Sequence, residues 1–184
     1  MKCGALILAA GASTRLGHPK QLVCLGNETL LDRSVRIARE AGCVPVVVML
    51  GASEDQIRDQ CELQDALVIS YPDWAEGMGT TLSRGVRAFD DVQGILVMTC
   101  DMPAVTADHL RTLAASEQIA ASSYGGHKGV PAYFPRDRFS KLLELRGDIG
   151  ARELLQSANG VELPGGELDV DTSDDLDKAR RIFG

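Results

Sequence analysis

Apolar runs that alternate with helix-period segments constrain this chain more than any other feature. Ala5–Ala10, Val44–Leu50 and Gly94–Cys100 are almost continuously apolar, the pattern of strands covered on both faces. Pro45 is compatible with the second run because it stands at its start. Glu28–Ala41 spaces Leu31, Val35 and Ala38 at i, i+4 and i+7, one stripe of an amphipathic helix closed by Gly42. Ser53-Glu54-Asp55-Gln56 matches a capping box for a short helix reaching about Cys61. Ala66–Ser70 and Ile119–Ser123 read as further strands, and Val130–Phe134 as extended. Helices are expected over Gly79–Phe89, Thr106–Ala115, Arg136–Leu145 and Ile149–Ser157, and after Leu168–Val170 with Ser173 as N-cap. This alternation predicts one α/β domain over residues 1–184, with a mainly parallel sheet covered on both faces.

Charge and composition narrow the partners. Nineteen Lys and Arg against 26 Asp and Glu leave a net charge of −7, the wrong sign for nucleic acid or an anionic membrane surface. Aromatic residues make up 4%, too few for a base-stacking platform. No apolar run approaches the roughly 18 residues of a membrane helix. Met1–Leu8 reads as a first strand rather than a signal peptide. Five widely spaced cysteines, with no C-x-x-C, predict a reduced, cytoplasmic protein.

Ligands of open α/β sheets sit beyond the carboxyl ends of the strands, and three such ends here carry reactive residues. Leu8-Ala9-Ala10-Gly11 runs on through Arg15 and Gly17 to Lys20. Small residues let backbone N–H groups approach a ligand, while Arg15 and Lys20 supply charge suited to a polyphosphate. The spacing fits neither G-x-x-x-x-G-K-[ST] nor G-x-G-x-x-G. Asp101 follows a buried strand and precedes Met102-Pro103, a fixed acceptor able to hold Mg²⁺ or to cap a turn. In Leu168-Asp169-Val170-Asp171, a persisting strand would put both carboxylates on one side, and either could complete a metal site with Asp101. Asp174 and Asp175 suit a helix N-terminus. Glu76–Thr81 sets Gly77, Gly79 and Thr80 at a helix start, suited to contact with a base or sugar, and Asp148 is a candidate N-cap. His18, His109 and His127 show no metal or triad spacing, and Ser13 and Ser83 lack a base.

Taken in order, these segments resemble the molybdenum-cofactor nucleotidyltransferases, most closely the cytidylyltransferase branch of the MobA-like family. The resemblance rests on Leu8–Gly11 with Arg15, Gly17 and Lys20-Gln21-Leu22, on Gly77–Leu82, and on Asp101-Met102-Pro103. It continues through Gly147–Arg152 and closes with Asp169–Thr172 followed by Asp175-Leu176. Val130 stands where these proteins often place His before Pro, in a region expected to border the second substrate.

The resemblance implies a Rossmann-like three-layer α/β/α nucleotidyltransferase fold and transfer of CMP from CTP to the terminal phosphate of molybdopterin, with release of pyrophosphate. It implies Leu8, Ala9, Ala10, Gly11, Arg15, Lys20, Gly79 and Thr80 as nucleotide-binding residues and Arg15, Lys20 and Asp101 as catalytic ones. Mg²⁺ would sit on Asp101 and Asp171, and a molybdenum-enzyme maturation partner is a further expectation. Catalysis would then be alignment and charge neutralisation. Because the guanylyl-transferring branch carries Gly where this chain has Ala10, CTP is expected over GTP. Two alternatives stand beside this reading, another phosphorylated acceptor such as a sugar phosphate, and a non-catalytic carrier of the cofactor. A nicotinamide dehydrogenase lacks its glycine fingerprint here.

Overall fold

Burial decides which segments become the middle of the sheet. A computed structural model describes residues 2–184. The strands are β1 (Cys3–Ala9), β2 (Cys24–Leu25), β3 (Glu28–Thr29), β4 (Val46–Leu50), β5 (Leu67–Ser70), β6 (Gly94–Thr99), β7 (Ala120–Tyr124), β8 (His127–Pro135) and β9 (Asn159–Glu162). The helices are α1 (Leu30–Glu40), α2 (Glu54–Gln60), α3 (Met78–Val86), α4 (Ala107–Ala114), α5 (Phe139–Leu143), α6 (Arg152–Gln156) and α7 (Ser173–Phe183). Seven strands form one sheet in the order β5-β4-β1-β6-β8-β7-β9, and β2 and β3 form a small separate hairpin. The pairs β5–β4, β4–β1, β1–β6 and β7–β9 are parallel, while β8 runs antiparallel to both neighbours.

The strand period of two sorts β1 into two cores. Ala5 and Ile7 pack with Leu31 and Val35 of α1 and Leu110 and Leu113 of α4. Leu6 and Leu8 face the other way, toward Leu82 and Val86 of α3 and Leu142 of α5. Gly85 brings α3 close, since a Cβ there would lie 2.5 Å from Leu6 Cδ1. A third cluster seats Leu176 and Ala179 of α7 on Val23, Leu25 and Val170. The result is the three-layer Rossmann-like fold, mainly parallel at its centre.

Local expectations failed where tertiary contacts outweighed local signals. Ser53 has φ +59° and makes no side-chain cap, so the expected capping box is not formed. The capping box lies at Thr172 and Asp175 instead, one residue before the expected N-cap Ser173. Glu28 and Thr29 pair with β2, and Thr29 caps α1 by accepting from the Asp32 N–H. Val44 is exposed and β4 starts after Pro45, whose carbonyl accepts from the Ala5 N–H. The segment expected to be helical from Ile149 begins at Arg152, capped by Ala151 rather than Asp148. Arg136–Arg138 is a 3-10 turn leading into the short α5. Residues 168–171 are irregular, and β9 joins the edge without a sequence signal. Gly125 and Gly126, at φ +55° and +79°, supply the two left-handed residues of the tight β7–β8 hairpin.

Candidate active site

The chain passes from β1 outward through β4 to β5, then returns by α3 to β6 on the other flank of β1. That reversal opens a crevice at the carboxyl ends of β1 and β6. A cleft of about 290 Å³ occupies it, lined among others by Leu8, Ala10, Gly11, Lys20, Trp74 and Asp101.

The β1 loop is held from behind. Gln21, fully buried, donates through Nε2 to the carbonyls of Ala9 (2.7 Å) and Gly11 (3.1 Å). The Ala10 carbonyl between them accepts from the Ala52 N–H at 2.9 Å. In a trans peptide the N–H points opposite to the C=O. The N–H groups of Ala10 and Ala12 therefore point away from Gln21, and that of Gly11 points away from Ala52. The N–H groups of Gly11, Ala12 and Thr14 have no hydrogen-bond partner among the described residues. Such a row of free donors suits an anion or an acceptor-rich edge.

Across the crevice the charges form a chain. Lys20 Nζ pairs closely with Asp101 Oδ2 and lies 3.1 Å from Asp171 Oδ1. Arg15, with its side chain 72% exposed, holds Asp171 Oδ2 at 2.7 Å. Thr99 donates its hydroxyl to Asp101 Oδ1. The Lys20 N–H donates to Ser13 Oγ at 3.0 Å, fixing the turn that carries the ammonium. Burial works against the Lys20 charge, but the Asp101 carboxylate outweighs it and holds the ammonium well above the usual lysine range. Val170 N–H donates to the Asp101 carbonyl at 2.9 Å, which ties the irregular 168–171 segment to the end of β6.

Of the two tail carboxylates, Asp171 reaches Lys20 and Asp169 forms no ion pair among the described residues. Protein packed around Asp169, with the charges of Asp101 and Asp171, pushes its carboxyl up to about 6. Ala9 serves through its carbonyl rather than as cleft wall. Gly79 and Thr80 are buried away from the lining. The N–H groups of both reach the Gly147 carbonyl, at 2.8 and 3.4 Å, and Thr80 Oγ1 accepts from the Gly147 N–H at 2.9 Å. A Cβ on Gly79 would meet Ile149 O at 2.2 Å, so this glycine admits the Gly147–Ile149 segment. Thr81, Gly77 and Met78 line the cleft instead, with Asp148 beside Gly77. Sequence reasoning missed Trp74, which packs on Gly51, and the only signal for it was a single Trp in a chain poor in aromatics.

Residues 5–162 match the MobA-like NTP transferase domain. The chain belongs to this family. Among its MobA-like relatives, the purine catabolism protein PucB of Bacillus subtilis is 31% identical, over 97% of this chain and 96% of that protein. The molybdenum cofactor cytidylyltransferase of Escherichia coli and the nicotine blue oxidoreductase of Paenarthrobacter nicotinovorans are each 26% identical. Each match covers 97% of this chain, and 95% and 93% of those proteins respectively. A solved Rv0371c homologue from Mycobacterium sp. strain JC1 superposes with a TM-score of 0.85 at 31% identity, covering 98% of this chain and 97% of that one. Rv0371c of Mycobacterium tuberculosis has been solved in complex with manganese. It superposes at 0.83 with 27% identity, over 99% of this chain and 100% of that one. No helix among the described residues of this MobA-like chain is long and apolar enough to cross a membrane.

Proposed function

We propose that this nucleotidyltransferase moves CMP from CTP to the terminal phosphate of molybdopterin cofactor and releases pyrophosphate. The observation that carries the reading is the β1 loop, whose carbonyls at Ala9, Ala10 and Gly11 accept from Gln21 and Ala52 while the N–H groups of Gly11, Ala12 and Thr14 have no partner among the described residues. Cytosine offers adjacent O2 and N3 acceptors to such a row, whereas the corresponding edge of guanine carries N–H donors. The Ala10 methyl also takes room that a purine would need.

In this reading Lys20 and Arg15 leave their carboxylates for the phosphate oxygens as nucleotide enters. Charge neutralisation at the phosphates lowers the barrier. The attacking phosphate is already anionic, so no general base is required. Asp101 and Asp171 converge on one ammonium, which is the spacing of two carboxylates able to share one cation. Their oxygens suit Mg²⁺, which takes one or two carboxylates and completes its shell with water and substrate phosphates. Asp101 and Asp171 would hold it, and when bound it would offset the phosphate charge. That the mycobacterial relative has been solved in complex with manganese is in keeping with a divalent ion in this reading. We place the protein in the cytoplasm, supplying a molybdenum enzyme or its maturation partner.

The test is pyrophosphate release from CTP and GTP with molybdopterin cofactor and a panel of other phosphorylated acceptors. Turnover with CTP and the pterin is expected. Turnover with CTP and only a sugar phosphate would reassign the acceptor, and preference for GTP would overturn the cytidylyl reading.

A further inference from the structure

We propose that Gln21 is a positioning residue that sets the nucleotide preference of the cleft by aiming the N–H groups of the β1 loop. The inference rests on the nucleotide reading above. Gln21 touches no part of the cleft lining except through the loop it holds, so it acts at second hand.

Three observations carry it. First, both contacts of Nε2 go to the carbonyls of Ala9 and Gly11, so one side chain fixes the 9–10 and 11–12 peptide planes, on either side of the 10–11 plane that the Ala52 N–H holds. Second, Gln21 Oε1 is buried with no hydrogen-bond partner among the described residues. A methionine would fill the same space without an orphaned acceptor, so packing alone does not account for the amide. Third, Gln21 lies in the 3-10 turn Lys20–Leu22, directly after the residue that pairs with Asp101. A single anchor therefore links the Lys20 ammonium to the donors beside Ala10. Without it the two peptide units can rotate, and an exposed carbonyl there would accept from guanine as readily as an N–H now donates to cytosine.

The experiment compares wild type with Gln21→Met and Ala52→Pro, the second deleting the N–H that holds the middle carbonyl while leaving Gln21 intact. Readouts are kcat and KM for CTP and GTP, and binding of CTP, GTP and inorganic tripolyphosphate followed by fluorescence of Trp74, the single tryptophan, which lines the cleft. Gln21→Met is expected to lower kcat/KM for CTP by about tenfold, mainly through KM, and to lower that for GTP less, since a pocket-sized change discriminates on this scale. Tripolyphosphate binding should stay within about twofold, because Arg15 and Lys20 remain. Ala52→Pro should shift the CTP-to-GTP ratio in the same direction, which keeps the test open should Gln21→Met not fold. Equal losses for both nucleotides, or none, in folded variants would overturn the proposal. Wild type that turns over neither nucleotide would remove the proposed function instead, and the ratio of CTP to GTP binding would still decide the role of Gln21.

Discussion

The two halves of the sheet treat polar groups in opposite ways. In the parallel half, β5-β4-β1-β6, every strand ends at the same edge, where the loops after β1 and β6 bring Arg15, Lys20 and Asp101 to meet Asp171 from the segment after β9. In the other half β8 runs against both neighbours, so its end lies at the edge opposite to those of β7 and β9, and polar side chains are satisfied within the protein. His109 Nε2 lies 2.8 Å from Ser122 Oγ, Ser122 donates to the Pro131 carbonyl at 2.7 Å, and Tyr124 donates to the Val130 carbonyl. Strand direction explains the contrast, because only a shared direction converges strand ends on one ligand. Damage to the first half should cost activity, and damage to the second should cost stability.

The largest effect should follow Asp101→Asn, which keeps the shape and removes the charge beside Lys20. Turnover is expected to fall about 1,000-fold with the melting temperature nearly unchanged. A folded variant with wild-type turnover would reduce Asp101 to a turn residue and dissolve the contrast. Lys20→Ala comes next, with kcat and kcat/KM expected to fall together by about 100-fold if the ammonium acts on charge that builds in the transition state. A rise in KM alone would assign it to ground-state binding. Ala10→Gly is smaller. It should relax the CTP preference by roughly tenfold without inverting it, read as the ratio of kcat/KM for the two nucleotides.

The second half is probed by stability. Ser122→Ala leaves the Pro131 carbonyl and His109 without their partner, at an expected cost of about 1–3 kcal/mol in urea unfolding, with kinetics unchanged. A loss of activity in a stable variant would show that the halves are not separable in this way. The smallest effect is in pH. Burial holds the His109 imidazole below its ordinary range, so near the ordinary value the unfolded chain binds a proton that the native protein does not. That contribution is complete above a pH of about 6.5 and is lost as pH falls from there through the lower native value. Unfolding free energies at a pH of about 7.5 and of about 5.5 should differ more for wild type than for His109→Gln, and equal differences would count against the buried histidine as the cause.

Long-range order was legible in the sequence where burial is the whole signal. Ala5–Ala10, Val44–Leu50 and Gly94–Cys100 became β1, β4 and β6 within two residues, because a run apolar on both faces has few places other than a sheet centre. Arg15, Lys20, Asp101 and Asp171 were legible as candidates since loops at such strand ends must meet. Short-range signals misled. Ser53 fits a capping box as a string, but its backbone is left-handed where the loop after β4 turns to offer the Ala52 N–H to Ala10. Gly79 and Thr80 looked like ligand contacts, yet their neighbours are the backbone of Gly147–Ile149.

By itself, then, the sequence determined the layered α/β architecture, the edge at which chemistry would gather and the residue types present there, all of which follow from hydrophobic period and strand direction. Tertiary structure alone decided which residue faces which. Asp171 rather than Asp169 meets Lys20 because the Val170 N–H is pinned to the Asp101 carbonyl. Gln21 rather than a core hydrophobe backs the β1 loop because two carbonyls there, of Ala9 and Gly11, need donors. These choices depend on hydrogen bonds between residues up to 156 positions apart, and local periodicity carries no information at that range.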